Sequence, residues 1–332
     1  MSASTFHFES PVAYQSTTVT EPALLPAALH RPTRAAATVP KQLVHRTAPG
    51  EVMATGWSRT DDTHFRVTAQ WPRSHSFYTP VAGEYYDPLM VAETIRQAGF
   101  LLAHSEFGVP LGHQFLLWGL ALSVRPERLK IHETPAVLDV AVTIVEVKRR
   151  GNGDVTALRY EMDIMRDGLL AASGSATTTC ASPAVYRRIR GAYALGGNLT
   201  PLSLTAPVAP QNVGRTSPVD VVLSPIGEPN RWQLRVDTRH PVLFDHPVDH
   251  VPGMLLMEAA RQSAASVLGL TSILPLSVTA DFRRYVELDS PCVVEARILP
   301  EPLPDGRRLV LVTGHQDGAL CYTARVIAAP QG

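Results

Sequence analysis

The sequence predicts an α+β chain built from two tandem units, each a central helix wrapped by an antiparallel sheet. Three observations carry this expectation. Short motifs recur in the same order in the two halves. Each half holds one segment apolar enough to be a buried helix. Each such segment is followed by four strand-like runs.

The repeat comes first. Glu93-Thr-Ile-Arg-Gln97 recurs as Glu258-Ala-Ala-Arg-Gln262, and His75 recurs as His240 at the same offset. Pro135-Ala-Val-Leu-Asp139 then matches Pro291-Cys-Val-Val-Glu295, and Asp167-Gly168 matches Asp317-Gly318. The offsets shrink along the chain, so the second copy has shorter loops. The helix of the second unit spans about Gly253 to Leu268 and is apolar nearly all round, the mark of a buried helix. Its counterpart spans about Pro88 to His104. Strand-like runs follow at Gln114–Val124, Ala136–Lys148, Val155–Met165 and Leu169–Cys180, then at Leu276–Tyr285, Pro291–Leu299, Arg308–His315 and Ala319–Ala328. The two Asp-Gly pairs are hairpin turns.

A chain of 332 residues suits two domains. Proline, present 28 times, marks their edges. Residues 1–40 read as a flexible tail and 41–180 as the first unit. Residues 181–217, with Pro183, Pro201, Pro207 and Pro210 among glycines, read as a linker, and 218–330 as the second unit. Apolar residues make up 45% of the chain, enough for sizeable cores. Zero net charge argues against a bulk grip on nucleic acid. All but Lys41, Lys130 and Lys148 of the 30 basic residues are Arg, which reads either as genomic base composition or as a planar fork for phosphate or carboxylate. The N-terminus lacks a secretory pattern, and no apolar run approaches bilayer length, so no membrane is expected. Cys180, Cys292 and Cys321 lack metal spacing and read as buried thiols. The expectation is a soluble, cytoplasmic protein with neither metal nor cofactor.

The chemistry is expected on the two helices. Glu258, Arg261 and Gln262 share one helix face, as do Glu93, Arg96 and Gln97. On a solvated face this would be an ordinary ion pair. In apolar surroundings a buried carboxylate is costly, which points to a site. Before the second helix, Arg239 to Gly253 carries His240, His246 and His250 with Asp245 and Asp249. A metal site is the weaker reading, because proline breaks up the segment. Pro252-Gly253 at a helix start leaves free N–H groups at Gly253 and Met254 and a positive dipole end, suited to an oxyanion or thioester carbonyl. His75 and His240 read as structural, and Trp71 and Phe77 as core. Arg73, Arg239, Arg283 and Arg284 read as surface charges. Arg187, Arg188 and Arg190 either face solvent or meet an acidic partner.

The stretch from His246 through Pro252-Gly253 to Glu258-Ala-Ala-Arg-Gln262 resembles the hotdog-fold 3-hydroxyacyl-ACP dehydratases, with a shorter His-to-Gly spacing and Arg261 in place of a small residue. A wider resemblance, over about 41–328, is to the A-factor biosynthesis family of γ-butyrolactone synthases. It rests on Val44-His-Arg46, Trp71 to Tyr78, Asp87-Pro-Leu89, Glu93-x-x-Arg-Gln97, Tyr186-Arg-Arg-Ile-Arg190 and Asp245 to Met254. That resemblance implies a double hotdog. It also implies an acyltransferase that moves a β-ketoacyl group from acyl carrier protein to dihydroxyacetone phosphate, on the way to a butenolide phosphate. Glu258, Glu93 and His246 are then the expected catalytic groups, the glutamates acting as bases if burial raises their pKa. Arg261, Arg96, Gln262 and Gln97 would hold the phosphate and substrate, and Gly253 and Met254 the thioester oxygen. Two pairings stay open: Glu93 with His246, or Glu258 with the loop from Tyr78 to Asp87. A dehydratase or thioesterase and a non-catalytic acyl- or lactone-binding module are the alternatives. The sequence leaves open whether two chains form a homodimer.

Overall fold

The computed structural model describes residues 38–194, 200–300 and 303–329. The expected tail up to residue 37, and residues 195–199 of the expected linker, lie outside the described residues.

The first half contributes β1 (Ala54–Arg59), β2 (His64–Trp71), helix α1 (Leu89–Ser105), β3 (Gln114–Val124), β4 (Ala136–Arg149), β5 (Val155–Arg166) and β6 (Leu169–Ala181). Helix α2 (Pro183–Arg190) follows. The second half contributes β7 (Leu223–Pro225), β8 (Arg231–Leu234), helix α3 (Gly253–Leu268), β9 (Pro275–Phe282), β10 (Cys292–Leu299), β11 (Arg308–Gln316) and β12 (Ala319–Ala328). Among the described residues, twelve strands form one sheet in the order β1-β2-β4-β5-β6-β3-β9-β12-β11-β10-β8-β7. Reading inward from either end gives the same order of equivalent strands. The halves join where β3 pairs antiparallel with β9, from Gly119 opposite Asp281 to Ser123 opposite Ser277.

The eight expected strands are present within a few residues. The structure adds a hairpin before each helix, β1–β2 and β7–β8. β2 carries a clear signal, since HFRVTAQW alternates exposed and buried at every step. β7 and β8, with three and four residues, are too short to show a period. Asp167-Gly168 and Asp317-Gly318 sit at the β5–β6 and β11–β12 turns with all four φ angles positive, the conformation of a tight twisted hairpin. The described residues of the proline-rich stretch 181–217 include α2 and a short helical turn, Pro210–Val213.

Both long helices are buried on nearly every side. In α1 every residue from Leu89 to Ala103 is buried except Arg96. In α3 every residue from Met254 to Ala265 is buried. Each helix packs on the strands of its own half, and the two helices also touch each other. Helix and sheet approach closely in the first half at Gly99, where a Cβ would collide with the Tyr160 ring. Tyr160 is fully buried and has no room to yield. Gly99→Ala should therefore destabilise the protein by about 1–3 kcal/mol, the usual cost of overpacking a core, despite alanine's better helix propensity. Chemical denaturation of the variant checks this.

Candidate active site

Glu93 and Glu258 are wholly buried, and each is clasped by two arginines. Glu93 accepts from Arg46 Nε at 2.9 Å, Arg96 NH2 at 2.7 Å and Gln97 Nε2 at 2.6 Å. Glu258 accepts from Arg215 Nε at 2.8 Å, Arg261 NH2 at 2.6 Å and Gln262 Nε2 at 2.5 Å. The outer arginine of each clasp also reaches into the other half. Arg46 NH1 donates to Val242 O at 3.1 Å, and Arg215 NH1 to Phe77 O at 2.6 Å. Arg46 and Arg215 were not read as functional in the sequence. Each lies far from its glutamate in the chain, and Arg215 falls in the expected linker.

This geometry corrects the expected role of both glutamates. Burial alone pushes each carboxyl up, but the paired guanidiniums outweigh it and hold each at about 2. A carboxylate so held is a poor proton acceptor, so neither suits a general base near neutral pH. The glutamines are also redirected. Gln97 accepts from Met53 N and donates to Glu51 O, and Gln262 accepts from Val222 N and donates to Asp220 O. Fully buried and fully hydrogen-bonded, both tie the chain down and offer nothing to a substrate. His75 and His240 also do equivalent structural work. Each accepts two backbone N–H groups at Nδ1 and turns Nε2 toward Glu51 or Asp220.

The first clasp opens onto a cavity through Arg46 and Arg96. A cavity of about 240 Å3 is lined by Arg96, Arg46 and β3 from the first half, and by His246, His250 and Pro252–Met254 from the second. An adjoining cavity of about 380 Å3 shares His45, His246 and His250 with it, so the two form one cleft. Phe100, Phe115, Leu117, Leu243, Leu256 and Phe282 supply apolar wall. Of the two open pairings, α1 with the His246 loop thus forms an accessible site. The other pairing also exists, since Asp87 Oδ2 lies 3.9 Å from Arg215 NH2, but Glu258, Arg215, Arg261 and Asp87 are all sealed. Arg261 is thereby placed away from the cleft.

One exchange separates the sites. Asp87 stands where the repeat places Pro252. Asp87 Oδ1 accepts from Leu89 N at 2.9 Å, satisfying the start of α1. Burial pushes its carboxyl up, against the pull of Arg215 and Arg261. Pro252 offers no side-chain acceptor, and no acceptor engages the N–H groups of Gly253 and Met254 among the described residues. The open site therefore keeps an uncapped helix start and a clasp of two guanidiniums against one carboxylate. That positive charge shows in its neighbours. Burial, with Arg96, His104 and His246 adding to it, pulls His45 down to about 3. Burial also lowers His246, with Asp245 opposing and Arg96 assisting.

The histidines differ in how they are held. His104 Nδ1 donates to Val109 O at 2.7 Å, and its Nε2 meets His45 Nε2 at 2.8 Å. His45 holds a left-handed backbone, φ 51°. His246 lies 3.5 Å from Asp245, whose carboxylate already accepts from Thr47 N and Ala48 N. His250 Nδ1 sits 2.7 Å from Asp249, which also accepts from Tyr186 OH at 2.6 Å. Arg190, expected as a surface charge or a partner contact, is instead buried on Asp249 and Glu287. Arg283 and Arg284, expected at the surface, are exposed but also line the cleft. The three cysteines are buried free thiols, and burial pushes Cys180 and Cys292 up to about 12. Among the described residues no helix is long and apolar enough to cross a membrane, and no cluster of metal-binding side chains is found.

The clasps predict two behaviours. Glu258→Gln takes their main counter-charge from two buried guanidiniums, leaving Asp87 at 3.9 Å from Arg215, and should cost about 3–5 kcal/mol of stability, read as a lowered denaturation midpoint. Both glutamates ordinarily titrate at 4.5 and are held here at about 2. Their contribution is thus complete above about pH 4.5 and is lost as pH falls toward 2. An acid titration followed by circular dichroism should show unfolding in that window, shifted to higher pH in Arg215→Gln.

Comparison with known proteins agrees with this architecture. The fold is similar to a putative oleoyl thioesterase from Lactobacillus plantarum, with a TM-score of 0.52 at 12% identity, covering 82% of this chain and 99% of that one. Relatives named 2-oxo-3-(phosphooxy)propyl 3-oxoalkanoate synthase match far more closely. That of Streptomyces virginiae is 50% identical over 87% of this chain and 97% of its own length. That of Streptomyces coelicolor is 44% identical over 86% and 89%. The model of the A-factor biosynthesis hotdog domain matches residues 27–182 and 200–330. With two such units in tandem, the chain is a double hotdog and belongs to the A-factor biosynthesis hotdog family.

Proposed function

We propose that this chain transfers a β-ketoacyl group from acyl carrier protein to the hydroxyl of dihydroxyacetone phosphate, in the cleft between α1 and the start of α3. The product is the ester for which its relatives are named, a 2-oxo-3-(phosphooxy)propyl 3-oxoalkanoate. The ester then closes by condensation of its activated methylene with the neighbouring ketone, losing water to give a butenolide phosphate. One observation carries this reading: the cleft joins an anion-seeking wall, an uncapped helix start and an apolar channel.

Each part has a task. The phosphate dianion meets the Arg96 guanidinium, which Glu93 holds in a fixed orientation. Glu93 is thus a positioning residue, acting through Arg96 and Arg46. The thioester oxygen gains negative charge in the tetrahedral state, and the N–H groups of Gly253 and Met254 are placed to receive it. The acyl chain lies along Phe115, Leu117 and Phe282. His246 offers a neutral ring as a hydrogen-bond partner for the acceptor's ketone. Arg283 and Arg284, exposed at the cleft, suit the phosphate of the carrier's prosthetic arm or the acidic carrier itself. The division into units at 41–180 and 218–330, joined by 181–217, belongs to the same proposal, as does a cytoplasmic location, which the free thiols fit.

Incubation with a β-ketoacyl-carrier protein and dihydroxyacetone phosphate should release carrier thiol and give the phosphorylated ester by mass spectrometry. Release of free β-keto acid alone, independent of the phosphate acceptor, would assign a thioesterase instead. Arg96→Lys, which keeps charge but loses the two-pronged contact, should raise KM for dihydroxyacetone phosphate about tenfold or more with a smaller change in kcat. Arg261→Lys should lower stability and leave that KM unchanged.

A further inference from the structure

The cleft contains one imidazole held as a general base is held, and it is not the histidine the dehydratase resemblance points to. A buried carboxylate, Asp249, and a half-buried imidazole, His250, form a pair at 2.7 Å. A carboxylate only accepts, so His250 Nδ1 carries the hydrogen and Nε2 keeps its lone pair. Nε2 has no partner among the described residues and is not enclosed, and His250 lines both cavities of the cleft. The ring is fixed from the side by an edge contact with Tyr285, centroids 4.8 Å apart.

Asp249 is itself held from three directions. Tyr186 OH donates to its Oδ1, Arg190 Nε donates to Oδ2 at 3.3 Å, and Arg190 NH2 donates to its backbone carbonyl at 2.9 Å. Arg190 in turn grips Glu287 with both terminal nitrogens and stacks 4.0 Å over Tyr285. This network gives Tyr186 and Arg190 of α2 a purpose that their place beyond the first sheet does not suggest. The Asp245–His246 pair lacks this design. Its contact is 3.5 Å, and its carboxylate is occupied by two backbone N–H groups.

We propose that His250 is the catalytic base of the acyl transfer, oriented by Asp249, with Tyr186 and Arg190 as positioning residues. This rests on the transferase reading above. His250 Nε2 takes the hydroxyl proton of dihydroxyacetone phosphate as that oxygen bonds to the thioester carbon. The tetrahedral intermediate collapses with cleavage of the C–S bond. The departing thiolate takes the proton from the imidazolium, which returns His250 to neutrality and releases carrier thiol.

The test uses the full chain with a β-ketoacyl-carrier protein and dihydroxyacetone phosphate, following ester by mass spectrometry. His250→Gln should lower kcat by about 10²–10⁴-fold, the usual contribution of a positioned base, with KM for the acceptor within about threefold of wild type. Added imidazole should restore part of the activity of His250→Ala. Asp249→Asn, whose amide donates to Nδ1 and so moves the ring hydrogen to Nε2, should lower kcat while His250 remains in place. Should His250→Gln fail to fold, Asp249→Asn and the imidazole rescue decide the question. A folded His250→Gln, or failing that a folded Asp249→Asn, with kcat within twofold of wild type overturns the assignment. Wild-type protein that makes no ester from these substrates overturns the transferase reading instead.

Discussion

Two buried Arg–Glu–Arg clasps organise this molecule. Each buries a full negative charge between two full positive charges, Arg96 being the one arginine of the four left partly exposed, an arrangement tolerated only when geometry and hydrogen bonding are nearly complete. Here they are: Oε1 of each glutamate accepts from both arginines and the flanking glutamine, and Oε2 from Arg96 Nε or Arg261 Nε. Such triads are weak evidence of net stability, because well-packed apolar side chains often do as well. Their value lies in what they fix. Arg46 and Arg215 each span a helix of their own half and a loop carbonyl of the other. A slip between the halves would break both contacts at once and strand buried charge.

The same device makes the cleft. Wherever one guanidinium of a clasp meets open space, the surplus positive charge faces it. At Arg96 it does, and the neighbouring imidazoles His45 and His246 are kept neutral by burial with that charge beside them. At Arg261 the chain closes over it. For His45 and His246 burial is the larger cause, and the same Arg96 charge that would attract a dianion adds to it. The uncapped start of α3 adds a second, shorter-ranged attraction directed at a carbonyl oxygen.

Much of this was legible before the fold was known. The duplicated Glu-x-x-Arg-Gln motif marked both clasps, because charge inside an apolar helix demands partners. The Asp-Gly turns and long alternating strands were visible for the reason that period two is visible: one face is buried along their whole length. The partners themselves were not legible. Arg46 lies just beyond the short helical turn Lys41–Val44 and Arg215 in a proline-rich stretch, and only tertiary folding brings them to their glutamates. The sign of the glutamate pKa shift followed from that omission, since burial without the second guanidinium argues upward and with it downward. The repeated Asp-His pairs were conspicuous, but sequence cannot tell a carboxylate that orients a ring from one that ties down a neighbouring loop. Asp249 does the first and Asp245 the second. The hairpin β7–β8 was lost because three or four residues carry no period.

The placing of Asp87 opposite Pro252 has a consequence for how such a molecule can change. Were the two units separate chains related by a twofold axis, any residue that shut one cleft would shut its mate, because symmetry copies every substitution. Fusion into one polypeptide removes that bond. A carboxylate at position 87 caps one helix beside the buried clasp, while position 252 stays free to leave its helix bare. The sealed half can then be selected as scaffold alone, and the open half can be reshaped for a new acyl chain without a matching alteration across the junction of β3 and β9.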